Sequence, residues 1–356
     1  MTKAGSKTSH KHNGLSLPRR WPAPNLGNMA LVSIVMVCHI DTPFVRPAVR
    51  SIFGQSLQDF ELVFVNNGSG LVPDEFGEIG HDPRFRWVSL PENLGIAAGL
   101  NAGVEAVTGD YVAFLDSDDI ALPTRLEKQA TLLQRDARLG LVNCGVATID
   151  EQGHMTGRLF VLIDGAEQKV FSAYYSSTIT STFMVRREVA QTFLQRAGFK
   201  TAVDYDFLSR VAEQWNLAGV PEILLHYRRH PLQVTVTSRD EQVFNECIVR
   251  LITARRRNGE EEELEEIETE FAHWRRSPPP QAVMFAAFAR RFLNEGFNTL
   301  AVYHARKLLG VKRTPGTALH GLRILGGALA RDPGRVFWLL RILLTGPVRA
   351  HGLTPF

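Results

Sequence analysis

The stretch Gly109-Asp-Tyr-Val-Ala-Phe-Leu-Asp-Ser-Asp-Asp119 decides the fold class. Tyr111 to Leu115 is a continuous apolar run of strand length, the pattern of a strand covered on both faces. It ends in Asp116, Asp118 and Asp119, three carboxylates within four residues. In an open α/β sheet, ligands bind beyond the carboxyl ends of the strands, so this acidic tip sits where chemistry is expected.

Outward from that stretch the same alternation repeats. Strands are predicted over Leu31–Val37, Glu61–Val65, Phe85–Ser89, Tyr111–Leu115 and Gly140–Ile149, with helices over Phe44–Phe53, Ile96–Val107 and Pro123–Arg135. Each of the first four strands runs into a polar loop: Cys38 to Pro43, Asn66 to Gly70, Pro91 to Gly95 and Asp116 to Asp119. Four polar loops at one edge of a parallel sheet predict an α/β domain over residues 29–237. Behind it, residues 238–356 lose the strand pattern. Leu264, Ile267, Phe271 and Trp274 recur at helical spacing, Ser277-Pro-Pro-Pro280 breaks the run, and further helices are predicted over Val283–Asn294, Thr299–Leu309, Ala318–Ala330 and Gly334–Leu344. Residues 1–28 read as a flexible basic tail, with Met29 as an alternative start.

Composition narrows the function. With 40 Lys plus Arg against 37 Asp plus Glu the whole chain is only +3, which argues against a nucleic-acid binder. The charge is uneven, however. From Phe271 onward 13 basic residues face two acids, a net of +11, so the first 270 residues carry −8. Cys38, Cys144 and Cys247 lie far apart and form no CxxC pair, a spacing that suggests neither a zinc site nor a disulfide framework and suits a reducing compartment. No run of about 18 apolar residues is present, and no apolar stretch follows the basic N-terminus. A cytoplasmic protein is therefore expected. Arg335, Arg341 and Arg349 beside Val336, Phe337, Leu339, Leu340, Ile342, Leu343 and Leu344 suit either a peripheral contact with the inner face of an anionic membrane or packing against the catalytic domain or a second subunit.

Two readings of the acidic tip stand side by side. Crowded carboxylates repel, and Mg2+ or Mn2+ held by Asp116 and Asp118 together with a diphosphate would relieve them. Alternatively the cluster is an Asx turn, with Asp119 capping the helix that starts near Pro123.

Taken together and in order, Val32-Ser-Ile-Val-Met-Val37, Arg50-Ser-Ile-Phe-Gly-Gln-Ser56, Phe60-Glu-Leu-Val-Phe-Val-Asn-Asn-Gly-Ser69, Asn93-Leu-Gly-Ile-Ala-Ala-Gly-Leu-Asn101 and Gly109 to Asp119 resemble the landmarks of family 2 glycosyltransferases over about residues 30–237. The resemblance implies a GT-A fold, a nucleotide-sugar donor (UDP- or dTDP-linked), Mn2+ or Mg2+, inversion at the anomeric carbon, and a glycan or lipid-linked acceptor. It places Cys38, His39, Asp41 and Asn67 beside the nucleoside, Asn93, Gly95 and Asn101 near the ribose and diphosphate, Ser117 on the donor, and Asp116 and Asp118 on the metal. Where the family usually shows two aspartates this chain has Asn66 and Asn67, which leaves the choice of base open.

Gly198-Phe-Lys-Thr-Ala-Val-Asp-Tyr-Asp-Phe-Leu208 is similar to the family's acidic pair ahead of a helix, with Val203 in place of the first acid. That likeness makes Asp204 the candidate catalytic base, against a plain helix-capping role for Asp204 or Asp206. Leu225-His-Tyr-Arg-Arg-His230 is similar to the family's terminal segment, which implies Arg228 on the diphosphate and His230 as a metal ligand or phosphate contact, with His226 as a rival. A second reading keeps the GT-A fold but loses catalysis, leaving a nucleotide-sugar or glycan-binding scaffold. Its motive is Asn66, Asn67 and Val203. Oligomerisation is compatible with either.

Overall fold

The computed structural model describes residues 31–159, 179–260 and, with short gaps, 267–331. The N-terminal tail and the stretch 334–344, over which the sequence predicts a helix with an apolar cluster, lie outside the described residues.

In chain order the elements are β1 (Val32–Cys38), α1 (Val45–Phe53), β2 (Phe60–Asn67), a 3-10 segment (Pro73–His81), β3 (Phe85–Leu90), α2 (Ile96–Ala106), β4 (Tyr111–Phe114), β5 (Ile120–Ala121), α3 (Arg125–Arg135), β6 (Leu139–Ile149), β7 (Met155–Leu159), a 3-10 turn (Thr180–Thr182), β8 (Met184–Arg186), α4 (Arg187–Thr192), α5 (Val203–Gln214) and β9 (Asn216–Arg228). The helices α6 (Val234–Thr237), α7 (Arg239–Arg257), α8 (Ala272–Arg276), α9 (Gln281–Asn294), α10 (Asn298–Val311) and α11 (Pro315–Arg331) follow. The described elements agree with the alternation read from sequence to within two residues at most ends.

Nine strands among the described residues form one mixed sheet in the order β3-β2-β1-β4-β8-β6-β9-β5, with β7 paired to β6. The four strands anticipated first are parallel neighbours, β1 lying between β2 and β4. Alternation along β1 sends Ile34 and Met36 to one apolar layer with Val49, Ile52 and Leu126, and Val35 and Val37 to the other with Leu100 and Val104. Glycine sets how closely α2 approaches: a Cβ on Gly103 would stand 2.3 Å from Val35 Cγ1, and one on Gly99 2.6 Å from Val37 Cγ1.

The sheet curls, and the acidic tip is the reason this is visible. β4 and β5 stand four places apart in the strand order, yet residues 115–119 alone join them. A flat sheet would hold them about 19 Å apart at about 4.8 Å per strand. The connection instead turns on itself, Asp119 N–H donating to Asp116 O at 3.3 Å. So β9 and β5 bend round toward β4, and the C-terminal end of β9 meets the tip of β4.

The helical region is not a detached appendage. One apolar cluster runs from Val35, Val65 and Val104 through Phe207 and Leu208 to Phe244, Ile248, Phe288 and Phe292, crossing the boundary anticipated at 237/238 without a break. Within it His304 is fully buried, its ring 5.0 Å from that of Phe292 and 5.7 Å from that of Phe285, and its Nε2 has no hydrogen-bond partner among the described residues. Burial, with Arg250 and Lys307 adding repulsion, holds this imidazole well below the usual histidine pKa. The unfolded chain therefore takes up a proton near pH 6.5 that the folded chain refuses, and stability falls as pH drops below that value, by at most about 1.4 kcal/mol per pH unit. Thermal unfolding between pH 7.5 and 5 checks this: His304→Leu should show a shallower loss than the parent.

Candidate active site

The tip of β4 gathers its three acids tightly. Carboxylate oxygens of Asp116, Asp118 and Asp119 lie within 4.8 Å of one another. Asp119 is fully buried, the other two are half-buried. Burial first, then the charges of Asp118 and Asp204, push the Asp116 carboxyl up to about 7. Burial and its two neighbours likewise hold Asp119 well above the carboxylate range. Arg125, buried under the cluster, opposes the rise at Asp116, and its Nη2 donates to Phe114 O at 2.9 Å.

Asp119 does not cap α3, whose N-cap is Thr124. Its Oδ1 instead accepts the Arg228 N–H at 2.9 Å, because β5 pairs with β9 and draws Asp119 onto the end of that strand. Arg228 and His230 then close the tip from the β9 side. Arg228 Nε donates to Asp118 O at 3.0 Å and Nη1 to Asp150 O at 3.0 Å, while the guanidinium lies over the Phe44 ring at 4.7 Å. Nε and Nη1 thus grip backbone carbonyls, and Arg228 braces the acidic turn in this structure. His230 Nε2 lies 2.9 Å from Asp118 Oδ2, with its ring centroid 4.8 Å from that of Phe44. Its rival His226 is paired in register with Ile120, one residue past the cluster.

The loops after β1 and β2 meet the same tip. The buried Cys38 thiol donates to Ile40 O at 3.3 Å and has the hydroxyls of Ser69 and Ser117 beside it. Burial raises this thiol, which suits packing rather than nucleophilic attack. His39 and Asp41 are exposed, Asp41 accepting from Arg46 Nη1 at 2.6 Å. Asn66 Oδ1 ties down the loop after β2, accepting from Ser69 N–H at 2.8 Å and from its hydroxyl at 2.7 Å. Asn67 is buried and fully engaged: Oδ1 accepts Leu94 N–H at 2.9 Å, and Nδ2 donates to Gly95 O at 3.1 Å and Asn93 Oδ1 at 3.3 Å. An aspartate could accept from Leu94 but could not donate to Gly95 O, which gives the amide a physical reason. Asn101 pairs with the Gln195 backbone through both amide atoms at 2.8 Å. Among the predicted donor residues, then, Asn67, Asn101 and Arg228 build the walls, while Asn93 and Gly95 are exposed and Ser117 half-exposed at the tip.

Asp204 lies close enough to Asp116 for its charge to raise that carboxyl. It sits in the first turn of α5, launched by Ala202 in the left-handed region at φ 57°, ψ 24°, the one non-glycine residue with positive φ among the described residues. Ala202 occupies the N-cap position and makes no side-chain cap bond, while Asp204 Oδ1 accepts the Tyr205 N–H at 2.8 Å within the first turn. Asp206 is buried between two guanidinium groups, its Oδ2 accepting from Arg196 Nε and Arg210 Nε at 3.0 Å each. The two acids thus part company, Asp206 into the core and Asp204 toward the tip. Val203, where the resemblance would put an acid, is buried in the core.

The donor set fits a hard divalent cation. Three carboxylates converge, and Asp119 Oδ2 is buried with no hydrogen-bond partner among the described residues. Sequence reasoning did not single out Ser181, whose hydroxyl contacts Asp116 at 2.9 and 3.0 Å, or Arg125. Ser181 is brought here by chain 65 residues from Asp116, and Arg125, though it opens the helix just past the tip, sits outside the acidic run itself.

Comparison with known proteins bears on the fold and the family. Residues 33–194 match the family model described as Glycosyl transferase family 2. An uncharacterized glycosyltransferase of Haemophilus influenzae is 28% identical over 230 residues, covering 60% of this chain and 70% of the relative. The O-antigen biosynthesis glycosyltransferase WbnJ of Escherichia coli is 27% identical over 227 residues, 61% of this chain and 85% of the relative. Among solved structures, S. aureus TarS 1-349 in complex with UDP superimposes with a TM-score of 0.52 at 15% identity, covering 88% of this chain and 86% of that chain. The complex of the same protein with UDP-GlcNAc gives 0.53 over the same shares. Both show the same fold.

Proposed function

We propose that this chain, whose residues 33–194 match the family 2 glycosyltransferase model and whose fold resembles GT-A with helices packed behind it, is an inverting, divalent-cation-dependent transferase that moves a sugar from a UDP- or dTDP-linked donor to a hydroxyl of a glycan or lipid-linked acceptor. The observation that carries this reading is the convergence of Asp116, Asp118 and Asp119 at one strand tip with Asp204 beside them. The three aspartates would hold Mn2+ or Mg2+, with His230 at the rim as a further ligand or as the group that orients Asp118. When bound, the cation would supply positive charge against the departing diphosphate. Asp204 takes the proton from the acceptor hydroxyl as that oxygen attacks the anomeric carbon, a single displacement that inverts the centre. Arg228 keeps the turn in place, and the exposed residues His39, Asp41, Asn93 and Gly95 with Ser117 border the nucleotide.

UDP and UDP-GlcNAc in the TarS complexes, and the O-antigen role in the name of WbnJ, support a nucleotide-sugar donor and a surface-glycan acceptor. A non-catalytic scaffold has less support, because Asn67 and Val203 have structural reasons to be what they are. A thermal-shift screen of UDP- and dTDP-sugars with Mn2+ tests the reading: a donor at 100 times its Kd adds about 2.7 kcal/mol. Chelator should erase the shift. Donor binding without turnover would favour the scaffold.

The same proposal puts the enzyme at the cytoplasmic face of a membrane. No helix among the described residues is long and apolar enough to cross one, while the region from residue 271 carries +11. Co-sedimentation with anionic vesicles at low salt, falling as salt rises, is the expected result.

A further inference from the structure

We propose that Ser181 is a positioning residue for the acidic tip, its hydroxyl locking Asp116 in the rotamer that presents the carboxylate to a divalent cation. The inference rests on the cation reading above and adds a residue that no motif contains. Ser181 Oγ accepts the Asp116 N–H at 2.9 Å and donates its single hydrogen to Asp116 Oδ2 at 3.0 Å. One hydroxyl therefore holds both the main chain and the side chain of the same residue, 65 positions away. The bond uses one lone pair of Oδ2 and none of Oδ1, so the carboxylate keeps the oxygens a hard cation needs. Without this grip, Asp116 has Asp118 and Asp204 as like-charged neighbours and is half-buried, so rotation away from them is the low-energy response.

The hydroxyl can do this because its own backbone is fixed. Ser181 is fully buried in the Thr180–Thr182 turn, where Thr182 N–H donates to Ile179 O at 2.8 Å and Phe183 N–H to Thr180 O at 2.9 Å. The turn is tied down on its other side without the serine. Phe114 N–H donates to Phe183 O at 3.0 Å, and Gln129 Nε2 donates to Thr182 O at 2.7 Å. Removing the hydroxyl therefore leaves the turn in place and releases its hold on the acidic tip, on Asp116 above all.

The test uses the full chain and Mn2+ by itself, followed by electron paramagnetic resonance, with melting temperatures recorded alongside. Ser181→Ala should bind Mn2+ about tenfold more weakly, the loss typical of groups that orient metal ligands, with melting little changed. Ser181→Thr, which keeps the hydroxyl, should restore most of the affinity. In turnover assays the Mn2+ activation midpoint of Ser181→Ala should rise by the same factor while kcat at saturating Mn2+ stays near the parent value. Should Ser181→Ala bind Mn2+ as tightly as the parent, Ser181 is a packing residue and the proposal falls alone. If the parent itself binds no Mn2+, the cation reading falls and takes this inference with it.

Discussion

Asp118→Asn and Asp116→Asn are each expected to cut sugar transfer by about a hundredfold or more while leaving the fold intact, because each removes a charge from the set that would hold the cation against the diphosphate. The loss should come with an unusual gain. Asp116 is pushed up to about 7 by burial and by the neighbouring acids, so above that pH its ionised form works against folding when no cation is bound. In chelator at pH 8, Asp116→Asn should therefore melt higher than the parent, and the advantage should shrink as the pH falls below about 7 and the parent's carboxyl takes up its proton. Added Mn2+ should raise the parent's melting temperature more than that of the variant. Full transfer activity of either variant in chelator would sink the cation role.

Asp204→Asn is expected to lose about 10²–10⁴-fold in kcat with donor affinity unchanged, since the amide cannot take the acceptor proton but leaves the nucleotide side untouched. Donor Kd by calorimetry and kcat by product release separate the two effects. The structure already assigns the N-cap position of α5 to Ala202 rather than Asp204. A variant that melts lower yet turns over normally would return Asp204 to a purely structural role.

Much of the site was legible because its elements are local. Strand runs, their polar tips and the Asp116 to Asp119 cluster each lie within a few residues, and period-two or continuous apolar patterns expose them directly. The glycines of α2 were also in plain view, but the close approach they permit appears only when Val35 and Val37 are seen beneath them.

Asn67, Asn101 and Arg228 show the limit of that reading. Their types suit a nucleotide, yet each is engaged by backbone from a distant segment, Asn67 by residues 93–95, Asn101 by Gln195 and Arg228 by Asp118 and Asp150. Hydrogen-bonding capacity is a property of the residue, whereas its use depends on which carbonyl the fold brings near.

By itself, the sequence determined the α/β class, the first four strands and the acidic tip of the fourth, and it nominated Asp204 as a candidate base, since all of these follow from short-range pattern and from the likeness of ordered motifs. Tertiary structure alone decided the rest. The pairing of β5 with β9 curls the sheet and sets His230 and Arg228 on the acids, the Thr180–Thr182 turn delivers Ser181 to Asp116, and the core runs unbroken into the C-terminal helices. These depend on contacts between segments far apart in the chain, and hydrophobic burial, which drives them, is non-directional and leaves no local mark of which partner each apolar face will meet.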